Sequence, residues 1–282
     1  MPPICGLSRH LPLVNYPMLR LRCFGYPILE GPDGVSLDAI HRHPKKLAVL
    51  VYLACQHDEP WCHREALLPV FWPDAEESRA RNSLRQCVHV LRRILGKGML
   101  NGRDEGRLSI DSSRFRCDVA EFSRARREGR LQDALELQSG DLLTDFYVAN
   151  TGPFMAWVDR SRRTLRERGK DCAQRLARSA EADRDLYQAV AWWSRALELS
   201  PYDEDVLSSL VWALVQSGNR ESAGKIYRGF CDRMMADLEL EPSAATRVSV
   251  EQALITPPLS IPGRPIQPPS GAPPAEPPAP NP

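Results

Sequence analysis

This sequence offers no segment that spans a membrane and no fingerprint of a reaction. No apolar stretch runs far before a charge interrupts it, which excludes a transmembrane helix. The first 17 residues lack the charged start, long apolar core and small-residue end of a secretory leader, so the expected compartment is the cytoplasm. The eight cysteines, at 5, 23, 55, 62, 87, 117, 172 and 231, form no Cys-x-x-Cys pair. A chain this large needs no disulfide staples, and reduced, mostly buried thiols are expected. There is no P-loop, because Gly96-Lys97-Gly98 is too short and precedes a hairpin pattern. A nucleophile elbow, a His-Glu-x-x-His pair and a dinucleotide-binding glycine pattern are also missing. No enzymatic activity and no cofactor are expected. An excess of one charge sign is absent too, since 37 Lys and Arg face 36 Asp and Glu, a net of +1.

That balance conceals a division. At about 150 residues per domain, the length suggests two domains. Residues 18–117 hold 16 basic and 12 acidic side chains, a net of +4. Residues 118–255 hold 19 and 23, a net of −4. A basic half suits a polyanion; an acidic half suits protein contacts or a plain scaffold. Thr256 to Pro282 contains 12 Pro in 27 residues and buries too little to offset its ordering entropy, so a disordered tail is expected. Residues 1–17 read as irregular.

Met18-Leu-Arg-Leu-Arg-Cys-Phe24 alternates apolar and polar, the period of a half-buried strand. Short strands are expected at 26–29 and 34–37 around Gly31-Pro32-Asp33-Gly34. Pro44 opens a helix in which Leu47, Leu50, Val51 and Ala54 recur at helical spacing. A second helix is predicted from His63 to Trp72, with Pro69 expected to kink or shorten it. Asp74-Ala-Glu-Glu77 then has the form of a helix start, and that helix runs to Leu95 before Gly96. Its core face is Ala80, Leu84, Val88, Leu91 and Leu95, with Cys87 and Ile94 beside them. Met99–Asn101 and Arg107–Ile110, around a Gly-flanked turn, read as a hairpin. Strands, three helices and a hairpin make a winged helix-turn-helix.

From Asp118 to Leu254 the period is helical throughout. Ala189 in DLYQAVAWWSRALELSP aligns with Ala223 in GNRESAGKIYRGFCDRM, 34 residues on, with a weaker echo at Ala134. That is the period of tetratricopeptide helix pairs. A long amphipathic stretch, Phe154 to Ala182, carries a stripe of Phe154, Trp157, Val158, Leu165, Cys172, Leu176 and Ala180. The expected fold class is mainly α: an N-terminal winged helix-turn-helix followed by an all-α, tetratricopeptide-like domain.

The third helix carries the chemistry. Opposite its core face lie Arg79, Asn82, Ser83, Gln86, His89 and Arg93, with Arg81, Arg85 and Arg92 on the flank. From 79 to 93 there are five Arg and no carboxylate. Arg forks match guanine edges or phosphates, Asn and Gln match adenine, and a helix N-terminus attracts phosphate. The first group is expected to face bases and the second to take phosphates, joined by Arg103 and Arg107 of the wing. The bland reading is a solvated basic face; its place in a helix-turn-helix with a wing makes DNA the more specific one. Asp104 and Glu105 in the wing turn would resist a deep approach.

Other features read as structural. Cys55-Gln-His57 and Cys62-His63 offer zinc-type ligands at a spacing that matches no common zinc pattern, and Trp61 and Cys62 read as a short strand, so no metal is expected. Asp203-Glu204-Asp205 after Pro201 reads as helix capping. Trp192, Trp193, Trp212 and Tyr227 read as packing.

In order along residues 18–255, the segments LRCFGYPIL, KKLAVLVYLA, FWPDAEESRARNSLRQCVHVLRRILG, DVAEF, LELQSGDLL, FMAWVDRSRRTLRER, AVAWWSRALELSPYDEDV, SGNRESAGKIY and LELEP resemble the SARP-type bacterial transcriptional activators. These join an OmpR/PhoB-type winged helix to a bacterial transcriptional activator domain. The resemblance implies that residues 79–95 are the recognition helix and 99–110 the wing. It implies a winged-helix domain at 18–117 and an activator domain at 118–255. The implied partners are double-stranded DNA carrying tandem direct repeats, RNA polymerase holoenzyme, and a second copy of the chain on DNA, with no membrane. With no receiver domain expected before the winged helix, phosphorelay control is not expected; nor is the NTPase module that follows in larger relatives. Pro69 departs from the pattern. The competing reading is an interaction scaffold whose tetratricopeptide-like helices bind protein and whose winged helix docks without DNA.

Overall fold

The computed structural model describes residues 18–55, 61–103 and 106–257, with the Arg103 side chain outside that set. The irregular start expected over 1–17, the Pro-rich tail beyond its first two residues, His57, Asp104 and Glu105 lie outside the described residues.

The chain opens with β1 (Leu19–Arg22), whose Leu residues point inward while its Arg residues stay exposed. β1 is the centre of a three-stranded sheet. It pairs antiparallel with β2 (Ile28–Glu30), Leu21 opposite Leu29, and parallel with β6 (Phe115–Cys117), Leu21 opposite Cys117. The strand is shorter than its alternation suggested, and Phe24 continues only as an isolated bridge to Leu142. The expected strand at 34–37 is reduced to one bridge, Glu30 to Ser36. A tight turn, with Gly31 N–H donating to Val35 O at 2.8 Å, and a 3-10 turn at Asp38–Ile40 leave no room for a longer pairing.

Next come α1 (Pro44–Cys55), β3 (Cys62–His63), α2 (Arg64–Phe71) and α3 (Glu77–Leu95). Leu47, Leu50, Val51 and Ala54 of α1 are buried, as their spacing required. α2 is shorter at both ends than its pattern and keeps Pro69 inside it, exposed. Asp74 does not cap α3. Pro73 stops α2, and the turn from Trp72 to Glu76 carries Asp74 ahead of the helix, leaving Glu76 at the N-cap without a side-chain bond. The wing is β4 (Leu100–Arg103) with β5 (Arg107–Ile110), Arg103 opposite Arg107. β3 adds itself to β5, so the wing is a three-stranded sheet anchored to the start of α2.

α4 (Asp118–Arg127), α5 (Leu131–Leu137), α6 (Gly152–Ala182), α7 (Leu186–Leu199), α8 (Glu204–Gln216), α9 (Arg220–Leu238) and α10 (Ala244–Ile255) follow. α7 with α8, and α9 with α10, are the helix pairs of the 34-residue repeat. Ala189 and Ala223 are fully buried at corresponding places, where a larger side chain would hold neighbouring helices apart. Asp185, Asp203 and Ser243 cap α7, α8 and α10 by accepting N–H bonds from Gln188, Val206 and Thr246. Glu204 goes beyond dipole capping: it accepts from Ser243 N–H at 3.0 Å and Ser243 Oγ at 2.6 Å, tying α8 to the start of α10. Of the aromatics read as packing, Trp193 is buried, with Nε1 donating to Glu181 at 2.7 Å, whereas Trp212 is 40% exposed.

The helical period is not continuous. Residues 138–151 form a non-helical loop, with Leu143, Asp145 and Asn150 at positive φ. Leu142, Leu143, Phe146 and Val148 of this loop are buried. Arg162 of α6 donates to Leu142 O at 2.7 Å and Leu143 O at 2.8 Å, and Arg166 pairs with Asp141. Gly25 N–H donates to Asp141 O at 2.7 Å, which stitches the loop to the first sheet.

Two hydrophobic cores result. One takes in both sheets, α1 to α4, the loop and the first half of α6 as far as Leu165. The other joins α5, the rest of α6 and α7 to α10. An aromatic cluster fixes α6 against the helix-turn-helix: Phe71 lies 5.1 Å from Phe154, and Tyr52 lies 4.9 Å from Trp157. The protein is mainly α, a winged helix-turn-helix followed by a tetratricopeptide-like helical domain.

Candidate nucleic-acid interface

α3 presents two chemically distinct faces, as its periodicity required. Ala80, Leu84, Cys87, Val88, Leu91 and Leu95 are buried, and Ile94 is half-buried. Burial pushes the Cys87 thiol up to about 12, so it behaves there as an apolar side chain. On the other face Arg79, Asn82, Gln86, His89 and Arg93 are exposed and Ser83 is half-buried. These six share one side of α3 over four successive turns.

The flank is less uniform. Arg81 pairs with Glu65 of α2 at 3.3 Å and with Glu77 at 2.5 Å. Arg79, 83% exposed, lies 4.0 Å from Glu76, a contact too solvated to hold it. The N-terminal end of α3 is therefore bordered by Glu65, Glu76 and Glu77, which works against a phosphate at that end. Arg85 and Arg93 have no carboxylate partner among the described residues. Arg85 donates to Asn82 Oδ1 at 3.0 Å, so two-atom recognition of a base by Asn82 requires Arg85 to swing away, toward the backbone of a duplex. The arginines of α3 without a carboxylate partner among the described residues thus lie on its middle and later turns.

Arg92 is not a simple surface cation. Its Nε donates to Leu100 O at 3.1 Å and holds the first wing strand against α3. Arg107 Nε donates to His63 Nε2 at 3.2 Å, which links β5 to β3. Gly102 of β4 lies between two guanidinium groups: a Cβ there would meet Arg92 Nη2 at 3.2 Å and Arg64 Nη2 at 3.4 Å. Arg64 is the residue that sequence reasoning missed. The signal was the short strand before α2, whose pairing with the wing brings Arg64 beside it. Lys45 supports the site from behind, donating to Phe71 O at 3.1 Å over the Trp72 ring, with burial lowering its pKa and Asp74 opposing that.

An exposed basic helix, a wing braced on it and a helical domain locked behind it now stand together. The model of the bacterial transcriptional activator domain matches residues 110–254. The chain belongs to this family. The SARP-type resemblance drawn from the sequence is thereby borne out, and the protein is of a transcriptional activator family. Among solved structures the fold is similar to Mycobacterium tuberculosis EmbR in complex with a low affinity phosphopeptide. That match has a TM-score of 0.60 and 23% identity over 86% of this chain and 67% of that one. At that identity the likeness concerns the fold. No curated protein matches the chain. No helix among the described residues is long and apolar enough to cross a membrane.

Proposed function

We propose that this activator binds double-stranded DNA sequence-specifically. It recognises promoter-proximal direct repeats as two or more copies and contacts RNA polymerase holoenzyme through its helical domain. The observation that carries this reading is the exposed, carboxylate-free run of α3 from Arg79 to Arg93, placed third in a helix-turn-helix and flanked by a wing. Arg79, Asn82, Ser83, Gln86, His89 and Arg93 address base edges in the major groove. Arg81, Arg85, Arg92, Arg103 and Arg107 address phosphates, with Arg92 and Arg107 also bracing the wing. No covalent step is involved; specificity comes from hydrogen-bond patterns in the groove and affinity from released counterions.

The test compares a cognate duplex with a random one. Asn82→Ala and Gln86→Ala should each weaken cognate binding by ~1–3 kcal/mol and leave random-sequence binding almost unchanged. Equal losses on both duplexes would remove these residues from base reading. A salt-independent protein complex with no DNA shift would instead support an interaction scaffold.

A further inference from the structure

We infer that Cys23, Cys55 and Cys117 form a binding site for a thiophilic d10 metal cation, zinc or cuprous copper. The three residues come from separate elements: Cys23 lies just beyond β1, Cys55 ends α1, and Cys117 ends β6. All three are buried, and their sulfurs lie within 4.8 Å of one another. Cys23 Sγ and Cys117 Sγ are 4.0 Å apart although 94 residues separate them. A cation centred in a sulfur triangle of that edge lies about 2.3 Å from each sulfur, the zinc–thiolate bond length. The wider separation closes with a shift of several tenths of an ångström. Soft thiolates select Cu(I) and zinc over the hard cations.

Burial alone does not require this convergence. Cys87 and Cys172 are buried too, yet among the described residues neither joins such a group. The surrounding backbone also holds the site together. Leu21 pairs with Cys117 across the parallel β1–β6 ladder. The Asp118 carboxylate accepts the N–H of Cys23 at 2.8 Å and of Phe24 at 2.9 Å, which pins the ends of β1 and β6 side by side. Cys117 occupies the N-cap of α4, where the positive end of the helix dipole favours a thiolate. Three sulfurs suffice for cuprous copper; zinc would take its fourth ligand from outside the triad, because the Asp118 carboxylate, 3.9 Å from Cys117 Sγ, is already engaged by the N–H groups of Cys23, Phe24 and Val119. Binding releases thiol protons as metal–sulfur bonds form. The sequence expectation of no metal rested on local spacing, and these ligands are spread over 95 positions, beyond any local motif. A cation here would join the first sheet, the helix-turn-helix and the start of the activator domain.

The full chain, purified under reductant and treated with chelator, is titrated with Co²⁺ and, separately, with Cu⁺ against a competing chelator. The expected result is one equivalent per chain: a thiolate-to-cobalt charge-transfer band that Zn²⁺ displaces, or Cu⁺ retained against the chelator, with a rise in Tm. Cys23→Ala, Cys55→Ala or Cys117→Ala should abolish it, whereas Cys62→Ser and Cys231→Ser, at the two half-buried thiols, should not. If an alanine variant fails to fold, the unaltered chain still decides. Uptake of neither Co²⁺ through thiolates nor Cu⁺ overturns the inference. So does a signal that survives in the folded triple alanine variant, or a Cys23–Cys117 disulfide formed in air with no metal uptake after reduction.

Discussion

Arg81 and Arg85 lie one turn apart on the same flank of α3, yet their surroundings give them different weights. Arg81 is held between Glu65 and Glu77, while among the described residues Arg85 meets the neutral Asn82 and no carboxylate. A phosphate contact changes the slope of log affinity against log salt by about 0.9. Arg85→Ala should lower the slope by about that amount. Arg81→Ala should lower it less, because its charge is already offset. A larger change at Arg81 than at Arg85 in a salt titration would contradict this ordering. Gly169 gives a second prediction at the same scale. It lies in α6, where Ala would ordinarily stabilise by up to ~1 kcal/mol. Here a Cβ would enter the buried Gln138 amide, with Gln138 Cδ at 2.9 Å. Gln138 is not easily displaced, since its Nε2 donates to Leu165 O at 3.1 Å. Overpacking of ~1–3 kcal/mol should win, and the urea midpoint of Gly169→Ala should fall. An unchanged or higher midpoint would show that Gln138 moves freely.

Among elements, the loop from 138 to 151 has the largest structural consequence and was the least legible. A helical period was expected through it, as through all of 118–254, yet Leu142, Leu143 and Phe146 are buried in a non-helical loop. Their burial instead depends on partners distant in sequence: Phe24, Gly25, Arg162 and Arg166. The Arg166 guanidinium holds the Asp141 carboxyl below its ordinary value, mainly by direct hydrogen bonding. A depressed carboxylate contributes stability that is present above the unfolded value, about 3.9, and is lost as pH falls through the folded value. Asp141→Asn should therefore be less stable than the parent at neutral pH, and the gap should close in acid below that range. A gap of equal size at both pH values in denaturant titrations would rule out the charge pair as its source. By contrast, α3 was legible from its residues alone. A strongly two-faced sequence fixes which side is buried, and Gly96 marks its end. The Asp74 cap failed because Pro73 determines the turn before the helix. The short strand read at Trp61 and Cys62 is present one residue on, at Cys62–His63, but its pairing with the wing, and with it Arg64's place beside the wing, was missed because two residues carry too little pattern to name a partner strand.

Across the whole molecule, the winged helix is not a bead on a string. α6 inserts Phe154 and Val158 into the core behind α1 and α2, and Trp157 packs on Tyr52. α3 and the helical domain are thus held by one continuous set of contacts, a platform from which α3 and the wing face outward. The 34-residue alanine repeat and the basic helix were visible in the sequence, but their mutual placement was not. It depends on aromatic pairs such as Phe71 and Phe154, which no local pattern links. The central claim is that this platform presents a DNA-reading surface. It is tested most directly by selecting bound sites from a random duplex library with the full chain at moderate salt, beside an Arg79/Arg85/Arg93→Ala variant. The account predicts enrichment of one motif, arranged as direct repeats, with the parent chain and its loss with the variant. No enrichment, with the two proteins behaving alike, would contradict it.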